Sequence, residues 1–502
     1  MGGSGGLAVP VSRRAFLQGA AGLATGSRPN FVFILADDHA GYVLGADGNR
    51  KAETPHLDRL ASEGVRFASH FCNSPVCTPS RQSFFTGQLP HSAGVTVLST
   101  PLSESKPTLA KQFKKAGYQT AVFGKMHFNR PAEPGLHGFD HLLLEGELGK
   151  LWQAQPHRSV NVPAKPAYWR PFVDCASEWL NSANLPVARH EGEMRSAISL
   201  RHAEKYLDER STKQPFALWV SFQEPHSPYD FPVEDANHFN PEMFEAPRIA
   251  KQDEWQVPLI FRDLKAREKQ GIAAAYYNSV RYLDRNVGRV LDLLRRRNLE
   301  DNTLVVYMAD HGYCLGQHGR FEKHCCFEPA IRVPLLMRWP KKIAPRVVTD
   351  MTESVDVPAT MLDMLGVDPL PVQHGASLRA YLEGRSVAAR EAIFSEYLEN
   401  EEACLRTTQY KFIHCSGKRK RQDGYKTEEP TPGRYVKLYD LQNDPGELND
   451  LSRSEPALVA QFQSAMLARF RKTHPESEQE PARLNTAEAL DWFLRPRDAK
   501  PN

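Results

Sequence analysis

The sequence predicts an α/β protein with a large, mainly parallel but mixed sheet sandwiched by helices, and a small C-terminal antiparallel α+β subdomain. Three observations lead to this fold class. Segments typical of helices alternate with short apolar segments typical of strands up to about residue 390. After that point the pattern changes to short strands separated by turns. The chain has 502 residues, which is enough for a large core and more than one domain.

Two neighbouring segments predict the first strand and the first helix. The apolar run in "NFVFILADDH" is typical of a buried parallel strand over residues 31–35. In "TPHLDRLASEGVRF", Thr54 suits an N-cap, Pro55 a first helical turn and Gly64 the end of a helix. The alternation of strands and helices therefore begins here.

The segment "NSPVCTPSRQSFFTG" predicts a second helix that begins near a cysteine. Pro79 suits the first turn of this helix, and Gly87 suits the position just past its end. Cys77 would then lie at a helix N-terminus, where the positive field stabilises a thiolate. From its position alone, Cys77 is a candidate nucleophile, metal ligand or half of a disulfide.

Further segments continue the alternation in order: a helix and a strand in "PTLAKQFKKAGYQTAVFGK", a helix in "ISLRHAEKYLDE", a strand in "FALWVSF", a long helix at about 266–297 and a strand in "TLVVYMADH". In open α/β sheets, ligands bind at the C-terminal ends of the strands. The polar residues that follow the predicted strands are therefore candidate site residues: Asp37, Asp38, Lys125, His127, His226, Asp310 and His311.

Two other regions depart from this alternation. Residues 143–186 predict an irregular insert with Trp152, Tyr168, Trp169 and Trp179, which is either a substrate wall or aromatic packing under a long loop. Beyond residue 390, "AIFSEY", "LRTTQYKFIHC" and "VKLYDL" predict short strands, followed by a helix near "PALVAQFQSAMLARF". The basic run "GKRKRQDGYK" between two of these strands predicts a solvated loop.

The N-terminal segment "SRRAFLQGAAGLATG" pairs Arg13 and Arg14 with a short Ala/Gly/Leu run and resembles a twin-arginine export signal. The alternative is a disordered basic tail. We expect an export signal at 1–27, a catalytic α/β domain at 28–390 and the C-terminal subdomain with its tail at 391–502. The expected location is the periplasm or the extracellular space.

Composition and cysteine count exclude several classes of protein. The net charge of +3 is too small to indicate a nucleic-acid partner or an anionic membrane surface. No apolar run approaches the ~18 residues that span a bilayer. Although the chain has eight cysteines, a protein of this length needs no disulfides to fold, so we expect Cys325 and Cys326 to be packing residues.

The polar residues at the strand ends suggest a metal and an anionic substrate. Adjacent carboxylates such as Asp37 and Asp38 repel each other unless a cation lies between them. Together with Asp310 they supply hard oxygen ligands, which favour Ca²⁺ or Mg²⁺. Cationic side chains beside such a metal suit a substrate with a compact oxyanion. The candidate cations are Arg81, Lys125, His127, His226 and Lys323.

The pattern C-x-P-S-R from Cys77 to Arg81 resembles the signature of the formylglycine-dependent (type I) sulfatases, members of the alkaline-phosphatase-like superfamily. Other segments agree with that family in order: "ADDH", "TPHLDRLASEGVRF", "GKMHF", "EPHSPY", "ADHGYCLGQHGRFEKHCCFEPAIRVPLLMRWP" and "LYDLQNDPGELNDL". The resemblance extends from about residue 28 to about residue 470.

The resemblance implies that a dedicated maturation enzyme oxidises Cys77 to Cα-formylglycine. One hydroxyl of the hydrated aldehyde then attacks sulfur, and the second lets the sulfated intermediate expel sulfate. It also implies a metal site, with Ca²⁺ expected and Mg²⁺ as the alternative, whose ligands are Asp37, Asp38, Asp310, His311 and the modified Cys77. Most members of the family carry Asn at the position of His311, and imidazole is a softer ligand than an amide oxygen.

The family also implies roles for the cationic residues. Arg81 would hold the formylglycine side chain, while Lys125, His226 and Lys323 would bind the sulfate. His127 would take the proton from the second hydroxyl. Either His226 or Lys323 would protonate the leaving oxygen, and the sequence does not separate these two.

Three functions are compatible with these residues. The leading one is hydrolysis of a sulfate monoester, either a sulfated small molecule or a saccharide. The nearest rival is a phosphonate monoester or phosphodiester hydrolase with the same formylglycine site. The third is a catalytically silent binding protein in which Cys77 stays a thiol, but a silent site has no need for the full set of cations. The organic part of the substrate, endo or exo action and the oligomeric state stay open.

Overall fold

The computed structural model of the chain describes residues 28–162, 170–171, 179–418, 425, 427 and 433–498. The predicted export signal and most of the basic run lie outside the described residues. Tyr168, Trp169 and the side chain of Trp179 also lie outside them.

The described chain contains sixteen strands and thirteen α-helices. The strands are β1 (Asn30–Ala36), β2 (Val65–Phe67), β3 (His70–Phe71), β4 (Gln119–Gly124), β5 (His141–Leu144), β6 (Arg170–Pro171), β7 (Trp179–Leu180), β8 (Phe216–Ser221), β9 (Thr303–Ala309), β10 (Leu335–Arg338), β11 (Arg346–Val348), β12 (Thr352–Glu353), β13 (Ile393–Tyr397), β14 (Glu402–Arg406), β15 (Tyr410–Cys415) and β16 (Tyr435–Asp440). The helices are α1 (Pro55–Ser62), α2 (Cys77–Thr86), α3 (Pro90–Ala93), α4 (Leu109–Lys115), α5 (Glu145–Ala154), α6 (Arg195–Glu209), α7 (Leu259–Arg262), α8 (Ala266–Arg296), α9 (Glu328–Ile331), α10 (Asp356–Met364), α11 (Arg379–Leu382), α12 (Pro456–Thr473) and α13 (Thr486–Phe493).

Eight strands form the main sheet, in the order β11-β2-β10-β9-β1-β8-β4-β5. β10 pairs antiparallel with both of its neighbours, and the other pairs in the sheet are parallel. β1 is buried along its whole length, as its continuous apolar sequence predicted. The predicted mainly parallel, mixed sheet is confirmed.

Helices cover both faces of this sheet. On one face, Ile34 packs in a core with Leu57 of α1, Tyr206 of α6 and Leu283 of α8. On the opposite face, side chains of α2, α4 and α10 pack against Phe31 and Phe33. Because successive residues of β1 point to opposite faces, one strand supplies both cores.

The C-terminal part folds as predicted into a separate small sheet. β13, β14, β15 and β16 pair antiparallel in chain order. The helices α12 and α13 close its apolar face, where the rings of Phe412 and Phe462 lie 5.8 Å apart and those of Phe470 and Phe493 lie 5.4 Å apart. The boundary near residue 390 stays a prediction.

The structure corrects one local expectation. Residues 145–154 form the helix α5, not an irregular segment, although Gly146 and Gly149 lower its intrinsic helix propensity. Burial of Leu148 and packing of Trp152 outweigh that loss, because tertiary contacts override propensity.

The start and end of α1 are confirmed, with Thr54 as N-cap, Pro55 in the first turn and Gly64 just past the C-cap. Thr54 is the N-cap by position, but its hydroxyl donates to Asp58, and the carboxylate of Asp284 accepts the backbone N–H groups of His56 and Leu57. Gly64 does not end the helix in a left-handed conformation. A Cβ at this position would lie 2.3 Å from the carbonyl oxygen of Met337, so the glycine permits close approach to β10.

The seven cysteines among the described residues are buried and form no disulfide, which confirms Cys325 and Cys326 as packing residues. None of the helices among the described residues is long and apolar enough to cross a membrane.

Candidate active site

The C-terminal edge of the main sheet brings the predicted carboxylates together. β1 and β9 are parallel neighbours in a register that pairs Ala36 with Ala309. The next residue on each strand is an aspartate, so Asp37 and Asp310 follow the two strands side by side. Both side chains are completely buried.

The helix α2 begins at Cys77, as predicted, and ends before Gly87, which has a φ of 71°. Cys77 is only 1% exposed and faces the strand ends. Its Sγ lies 3.1 Å from Nε2 of His311 and 3.5 Å from Oδ1 of Asp37. Nζ of Lys125 lies 3.9 Å from the same sulfur. The thiol is therefore surrounded by the candidate ligands and cations.

Arg81 lies one helical turn after Cys77 and is fully buried. Its Nε donates to Oδ2 of Asp310 at 2.8 Å, and its Nη1 donates to Oγ of Ser221 at 2.9 Å and to the carbonyl oxygen of Lys125. Arg81 thus ties α2 to the ends of three strands, β9, β8 and β4.

Two overlapping groups of side chains could hold a metal ion, with the ligand atoms of each group within 4.8 Å of one another. The first group is Asp37, Cys77, Asp310 and His311, and the second is Asp37, Asp38, Cys77 and His226. Nδ1 of His311 lies 3.2 Å from Oδ1 of Asp38, which connects the two groups. A buried, carboxylate-rich donor set fits a hard divalent cation.

The electrostatics of the carboxylates support this fit. Burial and the neighbouring Asp37 raise the pKa of Asp310 to about 7. Burial and the Cys77 thiolate raise the pKa of Asp37, but Lys125, His226 and Arg81 outweigh them and hold it well below its ordinary value. Buried carboxylates in this arrangement are crowded, and a cation among them relieves the repulsion.

The predicted cations also lie at this edge. Nζ of Lys323 is 2.9 Å and 3.0 Å from the two carboxylate oxygens of Asp38, and Lys125 forms an ion pair with Asp37. Burial opposes the protonation of His226, but Asp38 and Asp37 outweigh it and hold the pKa of His226 well above its ordinary value. Burial, followed by Lys125, lowers the pKa of His127. All of the residues singled out from the sequence therefore surround one centre.

Comparison with protein families identifies the family of the chain. A family model described as Sulfatase matches residues 29–367, and a model described as N-sulphoglucosamine sulphohydrolase, C-terminal, matches residues 316–474. The first match covers more than half of the chain. The chain belongs to the sulfatase family. It is therefore a sulfuric ester hydrolase, and the expectation drawn from the motif at Cys77 is confirmed at this level.

Characterised proteins resemble this sulfatase over most of its length. It is 27% identical to a choline-sulfatase of Rhizobium meliloti, with 94% of this chain and 91% of the relative covered. It is also 27% identical to an N-acetylglucosamine-6-O-sulfatase of Bacteroides thetaiotaomicron, with 84% of this chain and 82% of the relative covered.

Solved structures share the fold. A phosphonate monoester hydrolase of Agrobacterium radiobacter superposes with a TM-score of 0.73 at 24% identity, covering 90% of this chain and 97% of the other. A protein solved in complex with its substrate, D-glucosamine-2-N,6-O-disulfate, gives a TM-score of 0.70 at 22% identity, covering 90% and 99%. At these identities the likeness is one of fold.

The sequence missed residues that hold the backbone of this candidate site. Asp38 has a φ of 66° and His127 a φ of 55°, values in the left-handed region that non-glycine residues rarely adopt. The hydroxyl of Tyr276 donates to the carbonyl oxygen of Asp38 at 2.5 Å and accepts from the N–H of Ala40 at 2.9 Å. Tyr276 lies on α8, far along the chain, so no local signal marked it.

A second pair of residues holds the segment around His127. The carboxylate of Glu145 accepts the backbone N–H groups of Met126 and His127 at 3.1 Å and 3.0 Å. Nε2 of Gln82 donates to the carbonyl oxygens of the same two residues at 3.0 Å and 2.9 Å. Gln82 directly follows Arg81 in the motif, and this position was its only sequence signal. No sequence signal marked Glu145.

Proposed function

We propose that this sulfatase cleaves its sulfate monoester with a nucleophile made from Cys77 and a divalent metal ion held by Asp37, Asp38, Asp310 and His311. The observation that carries the proposal is the position of Cys77, whose sulfur lies within 4 Å of a candidate metal ligand on one side and of Lys125 on the other. A nucleophile, a cation site and anion-binding side chains thus share one buried centre.

The metal site is hard, because its donors include three carboxylates. This composition favours Ca²⁺, with Mg²⁺ as the alternative, over Zn²⁺. When bound, the ion would lower the pKa of the nucleophile and withdraw charge from a sulfate oxygen. The buried carboxylates of Asp37 and Asp310 would hold it, and Arg81 would keep Asp310 in place through their 2.8 Å hydrogen bond.

The nucleophile requires conversion of Cys77 to formylglycine by a maturation enzyme. The hydrated aldehyde would supply one hydroxyl for attack on sulfur and a second whose deprotonation releases sulfate. Lys125 and Lys323 bring two positive charges to the place where the sulfate oxygens must lie. His127, which Glu145 and Gln82 hold beside Cys77, would accept the proton.

The geometry favours His226 over Lys323 as the acid for the leaving oxygen. Nδ1 of His226 lies 2.7 Å from the carbonyl oxygen of Ser227, so Nδ1 carries a proton and the orientation of the ring is fixed. His226 also lines a pocket outside the centre, whereas Lys323 is only 2% exposed and lies on Asp38. The leaving group would therefore depart past His226.

Maturation is tested by mass spectrometry of the tryptic peptide 67–81. Conversion lowers the mass of this peptide and makes it react with a hydrazide probe. Cys77→Ala should remove both the modification and turnover, while Cys72→Ala, which changes a buried thiol in the same peptide, should keep both. Active protein in which Cys77 is an intact thiol would contradict the proposal.

The rival activity is tested by comparing esters with the same leaving group. We expect the matured enzyme to prefer 4-nitrophenyl sulfate over 4-nitrophenyl phenylphosphonate and bis(4-nitrophenyl) phosphate. The fold likeness to a phosphonate monoester hydrolase makes this comparison necessary. A preference of about a hundredfold for a phosphorus ester, some 2.7 kcal/mol of transition-state discrimination, would favour the rival.

We also propose that residues 1–27 export the enzyme to the periplasm or beyond the cell. The paired arginines Arg13 and Arg14 support this proposal. Replacing both with lysine should leave the protein in the cytoplasm in a fractionation experiment. Unchanged export would contradict it.

A further inference from the structure

Three buried tyrosines, called here the tyrosine cluster, pack together next to the active site. Tyr276 lies on α8, Tyr229 follows His226 by three residues, and Tyr313 follows Asp310 by three residues. Each of the three is at most 1% exposed. Their ring centroids lie 5.6 to 5.8 Å apart in all three pairs. Three parts of the chain that carry site residues therefore meet in one aromatic cluster.

The hydroxyl of Tyr313 holds the segment that carries Lys323. It donates to the carbonyl oxygen of Phe321 at 2.5 Å. Phe321 precedes Lys323 by two residues, and Nζ of Lys323 lies 2.9 Å and 3.0 Å from the carboxylate oxygens of Asp38. This hydrogen bond therefore helps to set the place from which Lys323 reaches the site.

Tyr229 closes the turn that begins at His226. Its backbone N–H donates to the carbonyl oxygen of His226 at 2.9 Å, and its φ of 61° lies in the left-handed region, where a tyrosine persists only if its surroundings hold it. The hydroxyl oxygens of Tyr229 and Tyr313 lie 2.6 Å apart. Because Tyr313 gives its only hydroxyl proton to Phe321, the proton between the two hydroxyls belongs to Tyr229. Tyr229 therefore donates to Tyr313, and this bond links the turn of His226 to the segment of Lys323.

Tyr276 joins the same cluster to Asp38. Its hydroxyl donates to the carbonyl oxygen of Asp38, and its ring stacks on that of Tyr313 with an angle of 25° between the ring planes. The cluster thus contacts the chain at or near Asp38, His226 and Lys323. Hydrogen bonds between buried groups are strong and directional, so a cluster of this kind fixes the relative positions of the segments that it joins.

We propose that Tyr229 and Tyr313 are positioning residues for the sulfatase reaction, and that their hydroxyls set His226 and Lys323 relative to Asp38. Tyr229 acts through His226, and Tyr313 acts through Lys323 and, by its bond to Tyr229, through His226 as well. The inference rests on the proposed function, in which His226 protonates the leaving oxygen and Lys323 binds the sulfate. Each role has its own kinetic or binding signature.

The first experiment measures how the reaction of the matured enzyme depends on the leaving group. Phenolate is a strong base and needs a proton as it leaves, whereas 4-nitrophenolate is a weak base and leaves without one. In Tyr229→Phe, the ratio of kcat/KM for phenyl sulfate to kcat/KM for 4-nitrophenyl sulfate should fall by about 3- to 10-fold, mainly through kcat. His226→Ala should lower this ratio by about 100-fold. Adding Tyr229→Phe to His226→Ala should lower it no further, because both changes act on the same proton transfer.

The second experiment measures the Kd of inorganic sulfate by calorimetry. Tyr313→Phe loosens the segment of Lys323, so the Kd should rise by about 3- to 10-fold, and the leaving-group ratio should fall at least as far as in Tyr229→Phe. Tyr229→Phe keeps the bond from Tyr313 to Phe321 and should leave the Kd within about twofold of wild type.

Tyr439→Phe is the matched control. Tyr439 is also fully buried, but its hydroxyl has no hydrogen-bond partner among the described residues, so its loss should change neither the ratio nor the Kd. Each substitution keeps the aromatic ring and its packing. Should Tyr313→Phe nevertheless not fold, Tyr229→Phe decides by itself.

The inference is overturned if both cluster variants keep the wild-type leaving-group ratio and sulfate Kd. It is also overturned if they lose activity equally on both esters with an unchanged Kd, since the hydroxyls would then have only a structural role. Failure of the proposed acid is distinguishable, because His226→Ala would itself leave the ratio unchanged. The Kd of sulfate would still decide the role of Tyr313 in that case.

Discussion

Two groups of buried charges contact the same stretch of chain, residues 310–328, and they are built differently. The active-site group contains Asp310 and Lys323 from this stretch. The second group, called here the interface cluster, joins the stretch to the C-terminal subdomain. Its members are Asp253, His318, Glu328, Lys411, Lys437 and Glu447.

In the interface cluster, opposite charges alternate. Nζ of Lys411 lies 2.8 Å from Glu328 and 2.7 Å from Glu447, and Lys437 lies 2.6 Å from Asp253. Burial raises the pKa of Glu447, but Lys411 and His318 outweigh it and lower the pKa below its ordinary value. The charged form is therefore the favoured one, and the cluster stabilises the junction of the two parts.

In the active site, opposite charges also pair, but like charges lie close together as well. The pKa of Asp310 is raised to about 7 by burial and by Asp37, and the backbone at Asp38 and His127 is left-handed. Strain and unfavourable charge of this kind persist only where the surrounding structure holds them, as Tyr276 and Glu145 do here. The difference teaches that burial of charge alone does not mark a functional site, whereas crowding of like charges in a strained backbone does.

The largest expected effect on activity comes from substitutions that disrupt the active-site group. Asp37→Ala and Asp310→Ala should each lose the divalent metal and lower kcat/KM for 4-nitrophenyl sulfate at least about a thousandfold, some 4 kcal/mol. Elemental analysis and steady-state kinetics check this result. Asp301→Ala, which changes an exposed carboxylate, serves as the control and should keep both metal and activity. Metal retained at wild-type stoichiometry in both site variants would rule out the assigned ligands.

The second expected effect is a loss of stability when the interface cluster is disrupted. Glu447→Ala leaves the buried ammonium group of Lys411 with only Glu328, so we expect the free energy of unfolding to fall by about 3 kcal/mol. Urea denaturation measures this loss, and the kcat of the folded fraction should stay near that of wild type. For comparison, Asp301→Ala removes an exposed ion pair with Lys341 and should change stability by no more than about 0.5 kcal/mol. A smaller loss for Glu447→Ala than for Asp301→Ala would show that the cluster is not stabilising.

The contribution of the interface cluster to stability should also depend on pH. Because the pKa of Glu447 is lowered in the folded state, its stabilising contribution is present above the ordinary value of 4.5 and is lost as the pH falls below it. Burial lowers the pKa of His318, but Asp253 and Glu447 outweigh it and raise the pKa above 6.5, so the contribution of His318 is lost as the pH rises through that raised value.

The stability difference between wild type and Glu447→Gln should therefore be widest between about pH 5 and pH 7. Urea unfolding at a series of pH values tests this expectation. If the difference in the free energy of unfolding between the two proteins stayed constant down to acidic pH, a role for the ionised carboxylate of Glu447 would be contradicted.

The smallest expected effect concerns the segment that carries Lys323. Glu322 precedes Lys323 and binds Nη1 of Arg320 at 2.5 Å and the backbone N–H of His324. These contacts hold the segment from which Lys323 reaches Asp38. Glu322→Gln should lower kcat/KM about tenfold, since a positioning group in contact with a catalytic residue has effects of this size, while metal content stays unchanged. Loss of metal in this variant would instead assign Glu322 to the metal site.

The sequence by itself determined the parts of the molecule that depend on local pattern. The apolar run of β1 predicted a strand with Asp37 and Asp38 at its end, and Pro79 and Gly87 predicted a helix that begins near Cys77. The order of the short motifs then predicted the family and the charged residues that the structure gathers around Cys77, although it did not mark Gln82, Glu145 or Tyr276. These features are readable because strand periodicity, helix capping and motif chemistry each act over a few residues.

Only the tertiary structure decided which distant residues meet. The pairing of β1 with β9 sets Asp37 beside Asp310, and the packing of α8 brings Tyr276 under Asp38. Burial of Leu148 turned a segment expected to be irregular into α5, which carries Trp152 to Arg195. Such contacts join residues far apart in the chain, and their energies depend on burial and on partners that a local pattern does not contain.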